Sequence, residues 1–176
     1  NRQSGHPDRR LRGSHQTVAV SDWQPTASLE AIKARAELLR TVRAFFDDRN
    51  VLEVDTPQLA RYGVSDLHIQ CIPVPGYGYL QSSPEYHMKR LLAAGSGPIY
   101  QVCKAFRDGE AGGRHNPEFT MLEWYRPGFA LDDLIQECLA LFAALFPSAQ
   151  SKTYRFRGLF RDVTGLDPLT AHDSDL

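Results

Sequence analysis

The stretch QVCKAFRDGEAGGRHNPEFTMLEWYRP, residues 101–127, holds the residue types best able to do chemistry. Its second half reads as a strand over 118–126. Side chains alternate between faces along a strand, so Phe119, Met121, Glu123 and Tyr125 share one face. A carboxylate in the middle of an aromatic face needs a cationic partner or hydrogen bonds once it leaves water. An amine ligand supplies both. Phe119 suits stacking on a flat base, and Tyr125 can donate or accept a hydrogen bond. A plain structural strand, with Phe119 and Met121 in the core and Glu123 solvated, has the same pattern. Spacing alone leaves both readings open.

Arg107 ends the preceding strand, at the mouth of a polar, glycine-rich segment that also holds Arg114 and His115. The forked donors of a guanidinium match phosphate oxygens, although an ordinary surface arginine fits the same place. Ser83-Pro84-Glu85 has the form of a helix start. Serine caps, proline takes the first helical position, and the carboxylate meets the positive end of the dipole. That account is complete without a ligand. A substrate contact by Glu85 is the alternative.

The elements that must position these residues follow from periodicity. Leu29, Ile32, Ala36, Leu39, Val42 and Phe46 fall three or four apart and predict a helix. Ser28 is its expected N-cap, Glu30 lies in its first turn, and Asn50 supplies the left-handed residue that ends it. Residues 51–55 read as a short strand stopped by Thr56-Pro57. Residues 67–82 read as a hairpin turning at Pro75-Gly76-Tyr77-Gly78. The helix opening at Ser83 runs to about residue 94. Strands over 98–106 and 118–126 are joined by a segment too long for a tight turn and too glycine-rich for a helix, hence a mobile loop. A second amphipathic helix carries Leu131, Leu134, Ile135, Cys138, Leu141, Phe142 and Leu145 and closes at Pro147. A short helix over 156–163 follows. Runs of strands with segregated helices predict an α+β fold with an antiparallel sheet. The polar start, residues 1–22, is expected to be a disordered arm without the apolar stretch of a signal peptide.

Composition excludes several classes. The chain has 176 residues, 42% hydrophobic, enough for a core. A formal net charge of −1 gives no global basic field for RNA or an anionic membrane. No apolar run approaches the ~18 residues a membrane span needs. Cys71, Cys103 and Cys138 are far apart and the six histidines show no ligand spacing. These features fit free thiols in the cytoplasm and argue against a metal site in this stretch.

The motifs carry a resemblance. Phe106-Arg107, the loop, and then Arg114-His115-Asn116-Pro117-Glu118-Phe119-Thr120-Met121-Leu122-Glu123 resemble motif 2 of class II aminoacyl-tRNA synthetases of the lysine type. The first helix followed by Val51-Leu52-Glu53-Val54-Asp55-Thr56-Pro57-Gln58-Leu59 resembles motif 1, with Pro57 as its proline. Three further stretches are similar to a narrower family, the elongation factor P–(R)-β-lysine ligases. They are Trp23-Gln24-Pro25-Thr26-Ala27-Ser28, Ser83-Pro84-Glu85-Tyr86-His87-Met88-Lys89-Arg90-Leu91-Leu92 and Leu122-Glu123-Trp124-Tyr125-Arg126-Pro127. The resemblance covers about residues 22–170.

That resemblance implies an ATP-dependent ligase that activates (R)-β-lysine or lysine as an adenylate and transfers it to a lysine of elongation factor P. It implies ATP and Mg²⁺ as cofactors, a cytoplasmic homodimer, and no tRNA or membrane partner. Arg107 would be catalytic, gripping the α-phosphate. Asp108, Gly109, Glu110, His115 and Asn116 would line the ATP site, with Phe119 stacked on adenine. Ser83, Pro84, Glu85, Glu123 and Tyr125 would hold the amino acid. The family motif commonly has a glutamate two residues after the arginine; here Gly109 stands there and Glu110 follows. Nothing after Arg126 resembles motif 3. Residues 23–176 are therefore expected to be the N-terminal part of a class II catalytic domain, an antiparallel sheet flanked by helices and incomplete at the C-terminus. The metal ligands are expected outside them, and these residues alone are expected not to turn over. Two rivals follow from the same residues. One is a truncated fragment that dimerises or binds nucleotide without catalysis. The other is a lysyl-tRNA synthetase, which would need an anticodon-binding barrel ahead of the first helix.

Overall fold

The structure is a computed structural model that describes residues 23–109, 112–113 and 115–172. The expectations for residues 1–22, Glu110 and Arg114 lie outside the described residues. In chain order the elements are α1 (Leu29–Asp47), β1 (Leu52–Glu53), β2 (Leu59–Ala60), β3 (Pro73–Val74), β4 (Gly78–Leu80), α2 (Glu85–Ala93), β5 (Ile99–Phe106), β6 (Glu118–Tyr125), α3 (Leu131–Leu145) and α4 (Phe156–Thr164). By its contacts the chain divides into two units, residues 1–36 and 37–176.

In the first unit α1 starts as its sequence dictates. The Ser28 hydroxyl accepts a hydrogen bond from the Ala31 amide at 3.1 Å, satisfying one of the amides a helix start leaves without a partner. In the second unit the last turns of α1 bury Val42, Phe45 and Phe46. The helix ends at Asn50, whose φ of 52° lies in the left-handed region that asparagine tolerates better than most residues. The Val51 amide then turns back to the Phe46 carbonyl at 3.0 Å.

The larger sheet has the order β1-β5-β6. β5 and β6 pair antiparallel over eight residues. β1 runs parallel to β5, with Leu52 opposite Ile99, so the sheet is mixed and not purely antiparallel. The reason is the connection: three short strands and α2 lie between β1 and β5, enough chain to cross back in the same direction. The smaller sheet, β2-β4-β3, is antiparallel. Its β3–β4 pair is the expected hairpin, but only two and three residues long. β2 was not expected, since two residues show no periodicity. It closes onto β4 at Gly78, where a Cβ would lie 2.2 Å from the Ala60 carbonyl oxygen. Only glycine fits there.

The β5–β6 pair has two different faces. On one, Tyr100 joins Val42, Phe45, Phe46, Val51 and Leu141 in a buried core, with Val102, Leu122 and Trp124 packed against it. The Phe46 ring stacks on Tyr100 at 4.4 Å and leans on Trp124 at 5.6 Å. Burying a side chain of this size contributes about 1.5–3 kcal/mol. Below this core the end of β6 is tied to α3. The Arg126 guanidinium lies 3.3 Å from the Glu137 carboxylate, and the Trp124 indole N–H donates to the same carboxylate at 3.1 Å. The opposite face of β5–β6 is the one that carries the candidate chemistry.

Candidate functional site

Strand register sets which side chains meet on that second face. Gln101 lies opposite Glu123, Cys103 opposite Met121, and Ala105 opposite Phe119. Glu123 is the centre. One carboxylate oxygen accepts the Tyr125 hydroxyl proton at 2.7 Å, and the other accepts the Ser83 hydroxyl proton at 2.8 Å. Burial, reinforced by the Glu123 carboxylate, pushes the Tyr125 hydroxyl far above the ordinary tyrosine range. Tyr125 therefore stays a donor through neutral pH. Each carboxylate oxygen accepts one hydroxyl and retains a lone pair, so the group can receive an ammonium as well.

Ser83 is one residue earlier than a standard cap. α2 begins at Glu85 with Pro84 as its cap residue, so proline sits outside the helix and not at its first position. The Ser83 oxygen accepts the Glu85 amide at 3.0 Å while its proton goes to Glu123. One hydroxyl thus joins the start of α2 to the middle of β6. Pro84 is buried and Glu85 is half-buried. The Glu85 carboxylate pairs with Lys89 one turn on, at 2.5 Å. Ser83 and Glu85 open onto a cavity of about 310 Å³, with Ser82 and Tyr86 also on its wall.

Arg107 is half-buried at the end of β5. Its Nε donates to the Ser82 carbonyl at 3.4 Å, and its guanidinium lies 5.1 Å from the Phe119 ring centre. Ser82 and Ser83 are consecutive, so two adjacent residues link the Arg107–Phe119 pair to the Glu123 cluster. The loop beyond is held by backbone. The Arg107 amide donates to Pro117, and the Asp108 amide to Gln70. The Asp108 carboxylate accepts the Gly109 amide at 2.9 Å, and Gly109 takes a φ of 73°. His115 pairs with Gly112 through backbone, and both His115 and Asn116 are exposed. Neither hydrogen-bonds to Ser83, Glu123 or Tyr125 among the described residues. The expected site residues therefore fall into an assembled group, Ser83, Glu123, Tyr125, Arg107 and Phe119, and a peripheral loop group.

Two members of this face escaped the sequence reading. Gln101 is 1% exposed. Its amide oxygen accepts the Thr56 hydroxyl proton at 2.9 Å, and its amide nitrogen has no hydrogen-bond partner among the described protein atoms. A signal was present: Ile99, Gln101, Cys103 and Ala105 alternate onto one face, and glutamine is the polar exception. Cys103 lies beside them; burial, then the negative charge of Glu123, pushes its thiol up to about 11. Among the described residues no three His, Cys, Asp or Glu side chains gather as a metal site, and no helix is long and apolar enough to cross a membrane.

Comparison with known proteins adds to this geometry. Residues 15–171 match the family described as tRNA synthetases class II (D, K and N). The chain is similar to the elongation factor P–(R)-β-lysine ligase of Haemophilus influenzae strain PittGG, 48% identical over 170 residues, covering 90% of this chain and 52% of that protein. The same-named ligase of Pseudoalteromonas translucida is 50% identical over 163 residues, 88% of this chain and 50% of that protein. That of Vibrio atlanticus is 48% identical over 158 residues, 85% and 49%. The chain spans about half the length of these curated relatives.

Proposed function

Because the chain belongs to the class II tRNA synthetases (D, K and N), we propose that its β5–β6 face is the adenylate-forming wall of an ATP-dependent ligase. The substrate is (R)-β-lysine or lysine, and the acceptor is a lysine of elongation factor P, the protein for which its relatives are named. The substrate carboxylate attacks the α-phosphorus of ATP, the bond to the β-phosphate breaks, and pyrophosphate leaves. The lysine amine of the acceptor then attacks the activated carbonyl. An amide forms, the amine loses a proton and AMP departs. The setting is the cytoplasm, where Cys71, Cys103 and Cys138 remain the free thiols seen here.

One observation carries this reading. The consecutive residues Ser82 and Ser83 hold Arg107 and Glu123 respectively, so a phosphate-matching guanidinium and an amine-matching carboxylate share one support. Arg107 grips the α-phosphate as charge builds there, and preorganised donors at such a point commonly contribute ~3–4 kcal/mol. Phe119, beneath the same guanidinium, stacks on adenine. Asp108, Gly109, Glu110, His115 and Asn116 complete the nucleotide side. Glu123, Tyr125, Ser83, Pro84 and Glu85 form the amino-acid side. The motif resemblance implies Mg²⁺ as a partner of the nucleotide. Among the described residues no three His, Cys, Asp or Glu side chains gather to hold it. A homodimer is part of the proposal: α1 leaves Leu29 and Ile32 exposed, and light scattering of the full-length protein at tens of micromolar tests it against a monomer.

The test is isotope exchange between pyrophosphate and ATP by the full-length protein. Exchange that requires β-lysine or lysine, and that is lost when Arg107 is replaced, supports the reading. Exchange without any amino acid, or none with either diamino acid, overturns it.

A further inference from the structure

A cavity of about 430 Å³ adjoins the one at Ser83 and Glu85. Arg61, Tyr62, Gln81, Tyr86, His87 and Arg90 stand on its wall. Tyr86 borders both cavities, and Gly63 and Gln81 line this one where their chain neighbours Val64 and Ser82 line the other. Its frame is fixed: the buried Gln81 amide donates to the Tyr62 carbonyl at 3.1 Å and the Tyr79 carbonyl at 3.3 Å. Its charge is one-sided. No acidic residue stands on the wall, and among the described residues neither Arg61 nor Arg90 has a carboxylate partner. Glu85, the one carboxylate of α2, is paired with Lys89. Arg61 also borders a cavity of about 610 Å³ along the β3–β4 hairpin, beside Tyr77 and Tyr79. Tyr62 is 71% exposed and Tyr77 75%, and the Arg61 guanidinium lies 5.4 Å from the Tyr62 ring centre. In a chain of net charge −1, this is a local positive patch rich in exposed tyrosine.

We infer that this face, centred on Arg61, Tyr62 and Arg90, docks an acidic surface of the protein that accepts the activated amino acid. The inference rests on the adenylation reading above and deepens it, because it says where the acceptor sits while its lysine reaches the site. Three observations support it. The face shares Tyr86 with the cavity at Ser83 and Glu85, so a protein seated on it lies beside the amino-acid side. Its two guanidiniums lack carboxylates, and a partner carrying Asp or Glu would supply them. Tyrosine and arginine are the residue types enriched where proteins bind one another, and two cavities joined at Arg61 make a surface wider than a small ligand fills. A nucleic acid fits less well, because holding a strand takes a track of phosphate contacts and the wall offers two arginines. Arg61, Tyr62 and Arg90 bind the acceptor; they touch neither ATP nor the amino acid.

The experiment uses the full-length protein, its Arg61→Glu and Arg90→Glu variants, the double variant, and the conservative Arg61→Lys with Arg90→Lys. Two reactions are measured on each: pyrophosphate exchange, which needs no acceptor, and transfer of β-lysine to elongation factor P at several salt concentrations. Exchange, the KM for β-lysine and the melting temperature should stay at parental values in every variant. The KM for the acceptor should rise by roughly tenfold or more in the double charge reversal, and its dependence on salt should shrink or invert, as expected when complementary charges at an interface are made repulsive. The lysine pair should keep most of the parental KM and salt dependence. A parental KM for the acceptor in the double reversal would overturn the inference and leave the adenylation reading standing. So would equal losses of exchange and transfer, which would mark a defect of the site itself, or a double reversal that weakens binding of single-stranded RNA and not of the acceptor. A parent that shows no exchange with either diamino acid would overturn both readings.

Discussion

Replacing Glu123 with glutamine separates its binding role from its structural one. The substitution keeps the shape and removes the charge. In the folded protein Glu123 accepts hydroxyl protons from Ser83 at 2.8 Å and Tyr125 at 2.7 Å. A glutamine oxygen can keep one of these, and its amide can donate to the other hydroxyl, which has a lone pair to spare. The stability change should therefore stay within about 1 kcal/mol. Binding is a different matter. A hydrogen bond to a charged group contributes about 1.5–3 kcal/mol, which converts to roughly a 10- to 150-fold loss of affinity. Glu123 is half-buried, so solvent screening should place the result toward the lower end. The assay is the KM for β-lysine in pyrophosphate exchange, measured beside the KM for ATP and the urea midpoint of the same preparation. An unchanged KM for the amino acid would refute the reasoning. So would a loss that tracks unfolding, since it would make Glu123 only a strut between β6 and α2.

Other expectations concern single contacts. Arg107→Lys keeps the charge but loses the fork, and adenylate formation should fall by roughly 100-fold or more; near-parental exchange would remove Arg107 from the site. Glu137→Ala leaves the Arg126 guanidinium, only 12% exposed, without its ion-pair partner, and urea denaturation should show a loss of about 3–5 kcal/mol. Thr56→Val removes the one hydrogen bond that the buried Gln101 side chain makes among the described residues and should cost about 1–3 kcal/mol, with a midpoint within error of the parent as the contrary outcome. Burial pushes the Cys103 thiol from 9.0 to about 11 and, with Glu53, the Tyr100 hydroxyl from 10.0 to about 12. Both are acids whose proton is held more tightly in the folded state. Their contribution is intact below pH 9.0 and lost as pH climbs through about 11 and about 12. The melting temperature should drop over that window, and a flat profile would contradict it.

The sequence by itself determined what one element can express along its own length. The alternation in β6 put Phe119, Glu123 and Tyr125 on one side and Leu122 and Trp124 on the other, because a strand repeats every two residues. Ser28 and Asn50 marked the ends of α1 through local backbone chemistry. The motif resemblance named Arg107 and Ser83, and the family match covers residues 15–171. Tertiary structure decided the rest. The parallel pairing of β1 with β5, the two-residue strand β2, and the proton that Ser83 gives to Glu123 join residues far apart in sequence. So does the Thr56–Gln101 bond. Periodicity records which face a side chain occupies, because that depends on the twist of its own backbone. It does not record which face of another element will arrive opposite. That depends on how the whole chain packs, and here Gln101, a glutamine in an otherwise apolar row, was the one local trace of it.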